Sequence, residues 1–180
     1  MSQQVIQNVK AQRRKLVLTD KRAFHLLLRI PIYEQELIET AATDGNRIFF
    51  NVSFAKQLSD DNLRGVLLHE FLHILCEHRL RRGDFDMDLW NIATDYVING
   101  WIMQSGRYGK DFTLPQPMLN ERYSYSGCSA EEVAQDLLNR GWRAPVKTPK
   151  SHYPTKWRDG PPDYGMGGIG DDPWSGSPVC

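Results

Sequence analysis

Two stretches of the chain are apolar on every side of a helix, and they set the expected architecture. Leu63, Val66, Leu67, Leu68, Phe71, Leu72, Ile74 and Leu75 surround a helical axis instead of marking one stripe, which is the pattern of a buried helix. Ser59, Asp60 and Asp61 suit its amino terminus, as cap and as acidic complement to the dipole, and Gly83 suits its end. The pattern therefore predicts a helix from about Asp60 to about Arg82. A second buried helix is predicted from Asp86 to Gln104, apolar through Leu89, Trp90, Ile92, Ala93, Tyr96, Val97, Ile98, Trp101, Ile102 and Met103. One seam of it is polar: Asp88, Asn91, Asp95 and Asn99 recur at three- and four-residue spacing. Such a seam either faces solvent or meets a partner inside the fold.

Around this pair the signals are shorter. Val5, Ile6, Val9, Leu16 and Val17 predict an amphipathic helix over residues 3–17. Thr19 and Asp20 can cap a short helix through Leu28, although Phe24 to Ile32 also reads as a buried strand; Pro31 ends either one. Between Leu37 and Asn51, β-favouring residues flank Thr43-Asp44-Gly45-Asn46, a hairpin signal, with Arg47 to Phe50 as the second strand. A short helix is expected from Ser53 to Leu58, a loop from Ser105 to Gly127, and a capped helix from Ser129 to about Arg140. After Trp142 the composition changes, since 7 of the 10 prolines and 6 of the 14 glycines fall between Ala144 and Cys180. The expected division is one α+β, mainly helical domain over residues 1–143 and an irregular Pro/Gly-rich tail over residues 144–180. Tyr153, Trp157, Tyr164 and Trp174 punctuate that tail, and His152 lies within it.

Composition narrows the function classes. With 180 residues, 41% hydrophobic and 24% charged, the chain suits one globular domain with a core of its own. Lys+Arg and Asp+Glu are balanced at 22 each, so no global field selects nucleic acid or an anionic membrane. The amino-terminal residues lack the apolar core of a secretory signal and no stretch is long enough to span a bilayer, so a cytoplasmic location is expected. The three cysteines show no CxxC spacing, which leaves any metal to histidine and carboxylate.

The chemistry concentrates in His69-Glu70-Phe71-Leu72-His73, an HExxH pentad inside the first buried helix. Two histidines four apart lie on one helical face and can reach a single metal ion, with Glu70 beside them where an activated water would sit. A third ligand is needed. Glu77 is two turns beyond His69, and on an unbroken helix His78 points away from the His69/His73 face. The extended metzincin pattern fails, since its glycine position is Cys76 and its last histidine position is Arg79. Asp95, in the middle of the polar seam, is the expected third ligand, with Asn91 and Asn99 one turn either side to orient the ligands by hydrogen bonds. Asp84, Asp86 and Asp88 suit helix capping better than ligation.

The pentad, His78, Arg81-Arg82-Gly83 and the run Leu89-Trp90-Asn91-Ile92-Ala93-Thr94-Asp95-Tyr96-Val97-Ile98-Asn99 together resemble the metallopeptidase-like domain of bacterial and phage VWA-like proteins. Thr40 to Gly45, Phe50-Asn51 and Ser129 to Val133 look like the same family, so that the likeness covers roughly residues 20–141. The resemblance implies a zincin-like fold with a small β-hairpin or sheet before the active-site helix. It also implies zinc bound by His69, His73 and Asp95, with Asp95 in the role of the downstream carboxylate of thermolysin-type zincins. The expected function is a zinc metallopeptidase that cleaves peptide or protein substrates through a zinc-activated water, with Glu70 as general base. The alternative is a catalytically silent zincin-fold module that binds or regulates within a bacterial or phage complex. Longer members carry a further VWA-like domain with a DxSxS motif. Asp172 to Ser177 does not match its spacing, so a protein partner is left open for this chain while the association of the long members with AAA+ ATPases is not expected of it.

Overall fold

In the computed structural model, which describes residues 2–104, 113–115, 119–120, 122–124 and 127–143, the amino-terminal helix α1 (Ser2–Thr19) turns Val9, Leu16 and Val17 into the core. Its buried Gln12 accepts a hydrogen bond from Arg64 Nη1 at 2.6 Å, so the polar side chain beneath the helix is satisfied. A short α2 (Lys21–Phe24) and a 3-10 turn (His25–Leu28) follow, in agreement with the helical reading of this segment.

The sheet has three strands, β1 (Ile32–Glu34), β2 (Ala41–Thr43) and β3 (Ile48–Phe50), in the order β1-β3-β2. The hairpin is present: β2 and β3 pair antiparallel around a turn in which Gly45 has φ 93. Asp44 Oδ1 accepts from the backbone N–H of Asn46 and Arg47 at 2.9 and 2.8 Å, and its other oxygen pairs with the Arg47 guanidinium at 2.7 Å. Strand β1 is an addition to the sequence reading. It runs parallel to β3, with Ile32 opposite Ile48 and Glu34 opposite Phe50.

Asn51 caps α3 (Val52–Gln57), accepting from Phe54 N, and Ser59 caps α4 (Asp60–Leu75), accepting from Asn62 N at 3.1 Å. Every residue from Leu63 to His73 is buried, as the all-round apolar pattern requires. The helix does not continue to Arg82. It closes at Cys76, Glu77 takes a left-handed conformation (φ 52), and a separate short helix α5 (His78–Arg81) begins. The long α6 (Met87–Gln104) starts under Asp86, whose Oδ1 accepts from Asp88 N and Leu89 N at 2.9 and 3.2 Å, so this aspartate caps. Helix α7 (Ala130–Asn139) carries the full capping box between Ser129 and Glu132.

Two apolar clusters meet on α6. One joins α1, the sheet, α3 and α4 to Ile98 and Ile102; the other joins Leu89, Trp90, Ala93 and Val97 to Tyr123 and the inner face of α7. The molecule is thus mainly helical with a small sheet, an α+β arrangement. The tail after Arg143, with His152 and its aromatic residues, lies outside the described residues, as does most of the expected loop from Ser105 to Gly127.

Candidate metal centre

Helices α4 and α6 bring the pentad and the polar seam face to face. His69, Glu70 and His73 are each at most 4% exposed, and Asn91, Asp95 and Asn99 at most 5%, so the seam is interior from Asn91 onward, while Asp88 at the start of the helix is half-buried. His69 Nε2 lies 3.0 Å from His73 Nε2, and Asp95 Oδ1 lies 3.4 Å from the first and 3.2 Å from the second. These three side chains form a group with one donor atom apiece close enough to share an ion.

The far side of each imidazole is also occupied. His69 Nδ1 sits 2.8 Å from Asn99 Oδ1, an acceptor that fixes the hydrogen on Nδ1 and leaves Nε2 with a lone pair. Asn99 therefore stands where an orienting group is expected. Asn91 does not: both atoms of its buried amide lack a hydrogen-bond partner among the described residues. His73 Nδ1 meets His78 Nδ1 at 3.1 Å.

His78 is where the sequence reading needs correction. An unbroken helix would carry it away from His73, but the left-handed Glu77 turns the chain back and brings its ring to 5.1 Å from that of His73, centre to centre. Neither Cys76 nor Glu77 is a glycine or proline, so no breaker residue marks the turn. What holds it is tertiary. The Trp90 indole N–H donates to the His78 carbonyl at 2.6 Å, Arg79 Nη1 donates to the Asp44 carbonyl at 2.6 Å, and Arg81 donates to Glu131 at 2.9 and 2.6 Å and to the Cys76 carbonyl at 3.0 Å.

Burial, with His73 and Arg81 nearby, pushes the His78 imidazole down to about 2. Burial also lowers His73, against the opposing effect of a hydrogen bond that the imidazole donates to Asp95. Both rings are then neutral near pH 7, the form in which imidazole ligates a metal.

A family model described as a putative metallopeptidase domain matches residues 5–171. The chain belongs to that family. Its description implies a hydrolase with a metal ion and a peptide substrate, in keeping with the His69/His73/Asp95 group. No curated protein and no solved structure matches the chain. No helix among the described residues is long and apolar enough to cross a membrane.

Proposed function

We propose that this domain is a zinc-dependent metallopeptidase in which His69, His73 and Asp95 hold the ion and Glu70 is the general base. The observation that carries this reading is the triangle of donor atoms. For an ion about 2.1 Å from each donor, the corners of a coordination tetrahedron lie about 3.4 Å apart. The three separations of 3.0, 3.2 and 3.4 Å are close to that edge length, between side chains of buried residues. Two imidazoles and one carboxylate are also a donor set suited to zinc, with one corner left open.

Bound there, zinc would supply Lewis acidity, easing ionisation of a water and polarising a peptide carbonyl. The chain's own residues do the rest. Asn99 holds the hydrogen of His69 on Nδ1, so that Nε2 presents its lone pair. Glu70, one residue along α4 from His69 and 1% exposed, takes the proton of the attacking water and returns it to the leaving amine. The surrounding apolar residues of α4 and α6 keep bulk water away, which strengthens each electrostatic contact within the site.

The test combines metal content with turnover. Wild-type protein purified with zinc should hold about one ion per chain and cleave members of a peptide library. Glu70→Gln should keep the ion and lose at least about 100-fold in rate. Wild-type activity in Glu70→Gln would remove the base assignment, and zinc uptake without cleavage of any peptide would favour the silent module.

A further inference from the structure

We propose that His78 is a positioning residue of the metal centre, holding His73 in the one tautomer that can ligate through Nε2. This inference rests on the ligand set proposed above. A neutral imidazole has one N–H and one lone pair, and the partner of one nitrogen decides the state of the other. His73 turns Nε2 toward His69 and Asp95, at 3.0 and 3.2 Å, and Nδ1 toward His78. For Nε2 to offer a lone pair, Nδ1 must carry the hydrogen, and the atom facing it at 3.1 Å, His78 Nδ1, must accept it. His78 accepts only when its own hydrogen sits on Nε2.

Two observations say that this contact is built. His78 is 1% exposed, and its Nε2 has no hydrogen-bond partner among the described residues, so the ring's one hydrogen bond there is to His73. The backbone that carries it is fixed on three sides, by Trp90 from α6, by Arg79 on the hairpin turn and by Arg81 on α7. A residue just past the end of α4 is thereby returned to the site. The two ligand histidines are oriented by different means, His69 by an amide oxygen and His73 by a third imidazole.

Zinc affinity of metal-free protein, measured by competition with a chromophoric chelator, tests the assignment. His78→Phe should bind zinc about 10- to 100-fold more weakly than wild type, the usual effect of losing a group that orients a ligand. His78→Asn, whose Oδ1 can accept from His73 Nδ1, should recover most of that loss, which a purely structural role would not predict. Nitrogen NMR of the zinc-loaded wild type should show His78 protonated at Nε2, with its Nδ1 accepting from His73; it decides the matter even if His78→Phe fails to fold. Wild-type affinity in His78→Phe, equal losses in the Phe and Asn variants, or His78 protonated at Nδ1 would overturn the inference while leaving the metal centre intact. A wild type that takes up no zinc would instead remove the metal centre, and this role with it.

Discussion

At the scale of single residues, the proposed centre depends on which nitrogen of each imidazole carries the hydrogen, and that is set outside the proposed ligand group. Asn99 Oδ1, 2.8 Å from His69 Nδ1, is the neutral counterpart of the carboxylate that often backs a ligating histidine. Asn99→Leu should therefore weaken zinc binding by about 10- to 100-fold in a chelator competition, because His69 loses the partner that selects its tautomer. Asn99→Asp keeps an acceptor at the same place and should bind zinc at least as well as the wild type. If Asn99→Leu kept full affinity, the hydrogen bond would be incidental. The two proposed ligand histidines could be brought together from spacing alone, because i and i+4 on a helix share a face whatever the tertiary fold. Asp95 was legible only as a member of a seam, since spacing cannot say whether a polar stripe faces water or a neighbour; its burial opposite α4 is a product of packing. His78 was not legible, because its place depends on a left-handed Glu77 that the local sequence does not announce.

At the scale of elements, what matters is how closely α6 can approach the segments packed on it. A Cβ at Gly100 would lie 1.8 Å from the Ser124 carbonyl oxygen, a backbone atom that cannot swing aside as a flexible side chain could. Gly100→Ala should cost about 1–3 kcal/mol, the usual range for overpacking, read as a lower denaturation midpoint; an unchanged midpoint would mean that the 122–124 turn yields freely. Helix α7 is fastened to that same turn by Asp136, which accepts from Tyr123 Oη at 2.9 Å, from Arg122 at 3.1 Å and from Arg140 at 2.8 Å. The Arg140 and Tyr123 hydrogen bonds hold its carboxyl down to about 2, from an ordinary 3.8. A carboxylate held lower in the folded state is more readily ionised there than in the unfolded chain. Its contribution is thus complete above about pH 4 and fades as the pH falls toward 2. Asp136→Asn should accordingly be less stable than wild type at pH 6, and the two should converge near pH 2 in parallel denaturant titrations. Among the elements, the hairpin and the capped α7 follow from short-range chemistry at Asp44, Gly45, Ser129 and Glu132. Strand β1 does not, because its three residues find their partners in β3, each sixteen positions away, after a proline that locally signals only a break.

At the scale of the whole molecule, the proposed ion would join parts that the chain separates. His69 and His73 belong to α4, Asp95 to α6, and His78 to α5, whose position also involves the hairpin turn and α7. An unfolded chain offers no such assembled group, so an ion that binds the folded form stabilises the fold as a whole. At a free zinc concentration of about 100 times Kd the gain is about 2.7 kcal/mol, enough to raise the unfolding temperature by several degrees in a domain of this size. Thermal unfolding followed by circular dichroism, with zinc and with an excess of chelator, should show that shift in the wild type. Asp136→Asn, in α7 with Arg122, Tyr123 and Arg140 as its partners, lies outside the proposed ligand group and should start from a lower temperature and show the same shift. Asp95→Ala should lose the shift, because a buried pair of imidazoles without the carboxylate is a weaker and less complete donor set. The decisive comparison is the zinc-induced difference within each variant, since that difference cancels whatever the substitution does to the metal-free fold. A shift that survives in Asp95→Ala would place the ion elsewhere and remove α6 from the centre.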